Sequence, residues 1–144
     1  MRLLLAAATG LALATMTACA PTPGPKPAAA APTGGAALGG GEWKVFEING
    51  RPIVTGSTPT ITFEEGRVFG AASCNRFMGG YTLSADGLKL EMSQMASTMM
   101  ACPDALMAQE GQFLGTLGTV TGYGVADGVL TLTGAEGKTI KARR

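Results

Sequence analysis

The chain has 144 residues, a formal net charge of +1 at pH 7 and no histidine. Its lysines and arginines are scattered, so no basic patch exists to neutralise phosphates, and nucleic acid is excluded as a partner class. Without histidine there is no Ser-His-Asp or Cys-His catalysis and no imidazole zinc site, while 22 glycines against 6% aromatics point to short strands and tight turns.

Residues 1–18 read as an export signal. Met1-Arg2 supplies a positive charge, and Leu3 to Met16 is an apolar run too short to span a bilayer comfortably. The run ends in Met16-Thr17-Ala18-Cys19, which resembles the lipobox of bacterial lipoproteins, with Met16 where leucine is commoner. The resemblance implies cleavage before Cys19 and acylation of that residue by diacylglycerol on the thiol and a fatty acid such as palmitate on the amine. The alternative is ordinary secretion with cleavage after Ala20, which would leave Pro21 directly behind the cut. Acyl chains contribute about 0.8 kcal/mol per buried CH₂, so two or three hold a protein on a membrane. Ala20 in place of aspartate implies the outer membrane of a Gram-negative envelope, facing the periplasm. The membrane, through this N-terminal lipid, is the first expected partner.

Residues 19–41 read as a lipidated cysteine and a tether. Pro21, Pro23, Pro25 and Pro27 predict a stiff, extended half, and Gly34-Gly35 and Gly39-Gly40-Gly41 a loose one.

From Glu42 to Arg144 the pattern predicts one small domain of about a hundred residues. Trp43 and Val45 are expected on one face of a first strand and Phe46 and Ile48 on the other. Further strands are expected at Ile61 and Phe63, Val68, Tyr81 and Leu83, and Leu88, Leu90 and Met92. The last ones fall at Val120, Val125, Val129 to Leu132 and Ile140. Between them stand Asn49-Gly50, Glu65-Gly66, Asp86-Gly87, Asp127-Gly128 and Glu136-Gly137, strong hairpin signals because glycine and asparagine reach positive φ cheaply. Five such turns predict an antiparallel meander that curls or closes to protect its edges. One helix interrupts it, from Pro103 at its first position to about Leu117, ended by Gly118. Leu106, Phe113, Leu114 and Leu117 form its apolar stripe. Glu110 falls inside that stripe, either as a boundary carboxylate reaching water or turned inward to accept backbone N–H groups. Gly111, Gly115 and Gly118 mark another face, either packed closely or simply exposed.

Cys74 and Cys102 remain once Cys19 is spent on lipid. In an oxidising compartment they are expected as a disulfide, worth about 3–4 kcal/mol in the chain-entropy model; two separate thiols are the alternative. A cysteine nucleophile would need a base that no motif supplies. Met92 and Met95 read as core fillers. With Met78, Met99, Met100 and Met107 they raise Cu(I) as a less favoured alternative, and neither metal nor cofactor is expected.

The blocks Cys74-Asn75-Arg76-Phe77, Gly79-Gly80-Tyr81, Ser97-Thr98-Met99-Met100-Ala101-Cys102-Pro103, Gln109-Glu110 and Phe113-Leu114 resemble the META domain, whose best-known bacterial members are HslJ-like heat-shock proteins. With Trp43, Asn49-Gly50, Tyr123 and Leu130-Thr131-Leu132, the likeness covers nearly all of residues 42–142. It implies an α+β, mostly β, barrel-like fold with one helix, in which Asn75, Arg76, Phe77, Thr98, Pro103 and Glu110 form the structural motif. It also implies a link to envelope or heat stress without established enzymatic activity. Ser73 departs from the family's usual glycine, and strain is expected there if the position needs positive φ. The leading functional expectation is therefore a non-enzymatic, membrane-anchored envelope lipoprotein with a protein partner in the envelope. A hydrophobic-ligand carrier and a periplasmic protease inhibitor or sensor are the alternatives.

Overall fold

A computed structural model describes residues 35–144. The predicted signal peptide, Cys19 and most of the tether lie outside the described residues. The described part is mostly β with one helix. Ten strands run in chain order: β1 (Trp43–Ile48), β2 (Arg51–Pro52), β3 (Thr60–Glu64), β4 (Arg67–Ala71), β5 (Arg76–Leu83), β6 (Leu90–Met92), β7 (Ala96–Ser97), β8 (Val120–Ala126), β9 (Val129–Gly134) and β10 (Thr139–Arg143). The helix α1 (Asp104–Leu117) follows β7.

All pairings are antiparallel, in the order β6-β5-β4-β3-β1-β10-β9-β8, with β2 added to β1 and β7 to β5. The two ends of this order, β6 and β8, come alongside each other, so the sheet nearly closes into a barrel. The Tyr123 hydroxyl bridges the seam by donating to the Gly87 carbonyl at 2.9 Å, and its burial raises the phenol's pKa. At the same turn the Ser84 hydroxyl and the Leu88 N–H donate to Asp86 and hold its carboxyl below the ordinary value.

Local turn chemistry explains the hairpins. Asn49-Gly50, Glu65-Gly66 and Asp127-Gly128 each have positive φ at both positions, the two-residue turn that matches strand twist, and they join β1 to β2, β3 to β4 and β8 to β9. Ile61, Phe63, Val68, Phe77, Leu90, Leu130, Leu132 and Ile140 fill the interior with Trp43 and Phe113.

Three expectations are corrected. A bulge between Val45 and Glu47 adds a residue to β1. Ile48 therefore turns inward with Trp43 and Val45, and Phe46 is the odd one out, half-buried beneath the Arg143 guanidinium 4.2 Å from its ring. Leu88, expected with Leu90 and Met92, is exposed in the loop before β6. Finally, the packed domain begins before Glu42. Gly35–Ala37 form a helical turn, and Leu38, expected within the tether, is fully buried, its carbonyl accepting from the Trp43 indole at 2.8 Å.

Arg144 closes this entry point. Its guanidinium stacks 4.1 Å over the Trp43 ring and donates to the carbonyls of Ala37, Leu38 and Gly39. Arg144→Ala is expected to cost about 1 kcal/mol, since the side chain is exposed to water. The loss should appear as faster hydrogen exchange around Leu38, with the remote β8–β9 amides unchanged.

Gly70 marks the tightest approach between strands. A Cβ there would overlap the Thr60 carbonyl oxygen and lie 2.7 Å from its carbon. Both are backbone atoms of a paired strand and cannot swing aside. Gly70→Ala is expected to destabilise by about 2–3 kcal/mol, measured as a lower urea midpoint, while Gly122→Ala, which meets nothing, stays near neutral apart from strand entropy.

Candidate functional site: a polar node under the helix and two grooves beside β7

The helix covers one end of the barrel, where the β1–β2 turn, the 53–59 loop and the β4–β5 turn converge. Pro103 caps α1 with an extended backbone instead of occupying its first turn, and Gly118 ends it without a left-handed φ. The buried stripe is Gln109, Glu110, Phe113, Thr116 and Leu117. Leu106 and Leu114, expected within that stripe, are only half-buried. Gly111 and Gly115 face open space, the bland alternative for that face.

Three buried polar side chains on one helix need partners, because an unpaired polar group in the interior costs several kcal/mol. Glu110, 6% exposed, accepts the Cys74 N–H at 3.1 Å and the Asn75 N–H at 2.7 Å on one oxygen, and the Asn75 side-chain amide at 2.8 Å on the other. The Asn75 carbonyl oxygen accepts from the Met100 N–H at 2.7 Å and the Thr98 hydroxyl at 2.9 Å. Thr98 Oγ1 in turn accepts the Arg76 N–H at 3.1 Å. One carboxylate and one carboxamide thus fasten the helix, the β4–β5 turn and the 98–100 segment together. The Cys74–Cys102 disulfide ties the same elements covalently, with Cα atoms 6.2 Å apart and a sequence separation of 28.

Gln109 makes a parallel set. Its oxygen accepts the Val54 N–H at 2.6 Å, and its amide donates to Ser57 and Ser73. Thr116 pairs with the Asn49 side chain at 3.0 Å, whose oxygen also accepts the Thr139 N–H. Ser73 has φ 130°, within the region that favours glycine, and its hydroxyl bond to Gln109 helps hold that backbone. No buried side-chain nitrogen or oxygen among the described residues lacks a partner.

The structural motif therefore divides. Asn75, Thr98 and Glu110 form the node, and Phe77 packs edge-on against Phe113 with ring centroids 5.4 Å apart. Pro103 starts the helix, and Arg76 points its side chain to solvent. Gln109 and Thr116 are members whose role the helical pattern does not single out, although they stand at helical spacing with Phe113 and Leu117; Asn49 reads from sequence as a turn residue only.

Two open grooves flank the node. One, of about 450 Å³ and mostly apolar, lies on the outer face of the β4–β5 hairpin between Phe69 and Met78, with Arg67 and Arg76 at its ends. The other, of about 390 Å³, is bordered by Ser97, Met99, Met100 and Met107 beside the helix. The methionines also divide: Met92 and Met95 pack on the core, whereas Met78 is 67% and Met99 96% exposed. No group of three or more cysteine, aspartate or glutamate residues among the described residues is arranged to hold a metal ion.

The model of the META domain matches residues 36–144. The chain belongs to the META domain family. The match begins where Leu38 enters the core, six residues before the start expected from the strand pattern. This META domain is similar to a protein from Burkholderia xenovorans solved by NMR, with 24% identity over 88% of this chain and 98% of that one, and a TM-score of 0.61. It is also similar in fold to a DUF4847 family protein from Bacteroides vulgatus, with 16% identity over 75% of this chain and 94% of that one, and a TM-score of 0.59. No curated protein matches the chain.

Proposed function

We propose that this META domain is the working part of a lipid-anchored envelope lipoprotein that acts by protein contact, in support of the envelope under stress, and not by catalysis. The observation that carries this reading is the state of Glu110. Its carboxylate is buried and taken up by three donors within the fold, an arrangement suited to holding three elements in place. The surface beside it carries exposed methionines, adaptable side chains common at binding surfaces. The lipobox-like Met16-Thr17-Ala18-Cys19 supports the anchor, and an apolar run with one flanking cation supports export.

Fractionation and intact-mass measurement test the anchor. The chain is expected in the membrane fraction at the mass of an acylated product beginning at Cys19, and Cys19→Ser is expected to move it to the soluble fraction. A full-length, unacylated cytosolic product would end the reading. Loss of the gene is expected to sensitise cells to heat, detergent and large hydrophobic antibiotics.

A second reading, a hydrophobic-ligand carrier, rests on the outer groove at Phe69 and Met78, since the barrel interior is filled by core side chains. Native mass spectrometry after gentle purification distinguishes it by a co-purifying apolar molecule.

A further inference from the structure

β7 is a two-residue strand at an open edge of the sheet. It pairs with β5 on one side, Ala96 opposite Met78 and Ser97 opposite Phe77, and among the described residues with no strand on the other. The Thr98 N–H donates to the Arg76 carbonyl at 3.0 Å. In an antiparallel ladder successive residues alternate the direction of their N–H and C=O groups. Because Thr98 faces β5, the peptide groups of Ser97 and Met99 face outward. Ala96, Ser97, Thr98 and Met99 are all exposed, so no described residue covers this edge; its two-residue length limits how much ladder it offers, but no proline, lysine or bulge stands on it.

The two grooves lie toward opposite faces of the sheet here: the outer one on the neighbouring β4–β5 hairpin, the other against β7 itself at Ser97. Ala96 shares the outer face with Met78 and the apolar groove. Ser97 shares the inner face with Phe77 and borders the helix-side groove at Met99 and Met107. An edge with free backbone groups and a groove on each face is what recognition by strand addition requires. Main-chain hydrogen bonds then supply affinity, and alternate side chains fall into alternate grooves. Charge adds a selection rule. The ion pairs among the described residues are Lys138–Glu136 and Lys141–Glu47, which leaves Arg76 unpaired. Its cross-strand neighbour on β4 is Ala71.

We propose that β7 is a docking edge on which an extended segment of a protein partner adds as a further strand. An acidic residue of that segment reaches Arg76, an apolar residue two positions away meets Met78, and the residue between them enters the helix-side groove. This names the contact surface of the binding-module reading above and rests on it, but its test needs no anchor and no cell.

Random dodecapeptides displayed on phage, panned against the full chain, are expected to converge on an acidic residue two positions from an apolar one. A synthetic peptide of the selected sequence should lose about tenfold in affinity with Arg76→Glu, by fluorescence anisotropy. It should lose at least as much with Ser97→Pro, which removes the outward N–H, and nothing with Ser97→Ala, which keeps it. Bound peptide should slow hydrogen exchange at Ser97 and Met99. Arg76→Glu and the exchange map decide the matter even if Ser97→Pro does not fold. Panning without convergence, affinity indifferent to Arg76→Glu, protection elsewhere, or sedimentation showing β7 covered by a second copy of the chain each overturns the proposal. A mislocalised chain that still binds such peptides would instead count against the anchor alone.

Discussion

Replacing Glu110 by alanine should destabilise the domain by about 4–5 kcal/mol, the largest loss expected from any single substitution in the node. The carboxylate accepts three hydrogen bonds, two from backbone N–H groups and one from the Asn75 amide. Bonds to a charged acceptor contribute about 1.5–3 kcal/mol each, and a buried donor left without its partner forfeits about 1–3 kcal/mol. Simple addition of three such terms overstates the loss, because the cavity left by the side chain can admit water. Against a total stability of about 5–15 kcal/mol for a domain of this size, even the reduced figure is from about a third to nearly all of the margin. Urea denaturation should show the drop as a lower midpoint with a similar slope. Glu110→Gln keeps the shape and one acceptor oxygen but turns an NH₂ toward donors, so it should fall about halfway. Asn75→Ala removes the other half of the same contact. The double variant should therefore be less damaged than the sum of the singles by about 1.5–3 kcal/mol. Additivity within about 0.5 kcal/mol would mean the two residues do not share the bonds described here.

What was legible in the chain follows from the range of the forces involved. The three two-residue turns at Asn49-Gly50, Glu65-Gly66 and Asp127-Gly128 are local, since the backbone preference of two residues decides them. The helix was equally plain from its ends and spacing, and Glu110 drew notice because a charge inside an apolar stripe must be explained. Gln109 stands out only through the Gln109-Glu110 block of the family likeness, because by pattern alone a polar residue beside another reads as the edge of a stripe; its three partners come from two loops distant in sequence. The inward turn of Ile48 was hidden for a related reason. Strict alternation assumes an unbroken ladder, and the bulge at Phe46 arises only where β1 meets β10, nearly a hundred residues later. Leu38 stands alone among alanines and glycines, and no periodicity surrounds it. Its burial depends on Trp43 and on Arg144 from the far end of the chain. The strain at Ser73 was foreseen through the family likeness, which carries information on backbone conformation that residue type alone does not. The grooves flanking β7 were invisible, because a two-residue strand leaves no alternation to read and its placement is set by β5.

Loss of the Cys74–Cys102 bridge should destabilise the domain by about 3–4 kcal/mol without unmaking the fold. A cross-link between residues 28 apart in sequence removes closure entropy chiefly from the unfolded chain. The native state keeps other fastenings at the same place. Met100 remains bonded to Asn75 through both its N–H and its carbonyl, and the Cys74 N–H remains bonded to Glu110. The Cys74→Ala/Cys102→Ala chain should accordingly keep the parent's circular dichroism at 25 °C, with a lower urea midpoint and a steeper slope, since an unlinked denatured chain exposes more surface. Reductant should bring the parent to nearly the same midpoint and leave the double variant unmoved. A reductant effect on the variant would locate the loss somewhere other than this bond. Combining the cysteine replacements with Glu110→Ala removes the covalent and the electrostatic fastening together. The two losses add to roughly 8 kcal/mol, within the range of the whole domain's stability. The triple variant should therefore be largely unfolded at 37 °C, whereas each parent variant stays folded. If it stays folded too, the clamp at Glu110 and the bridge at Cys74 are alternative restraints on one local segment, and the barrel stands without either.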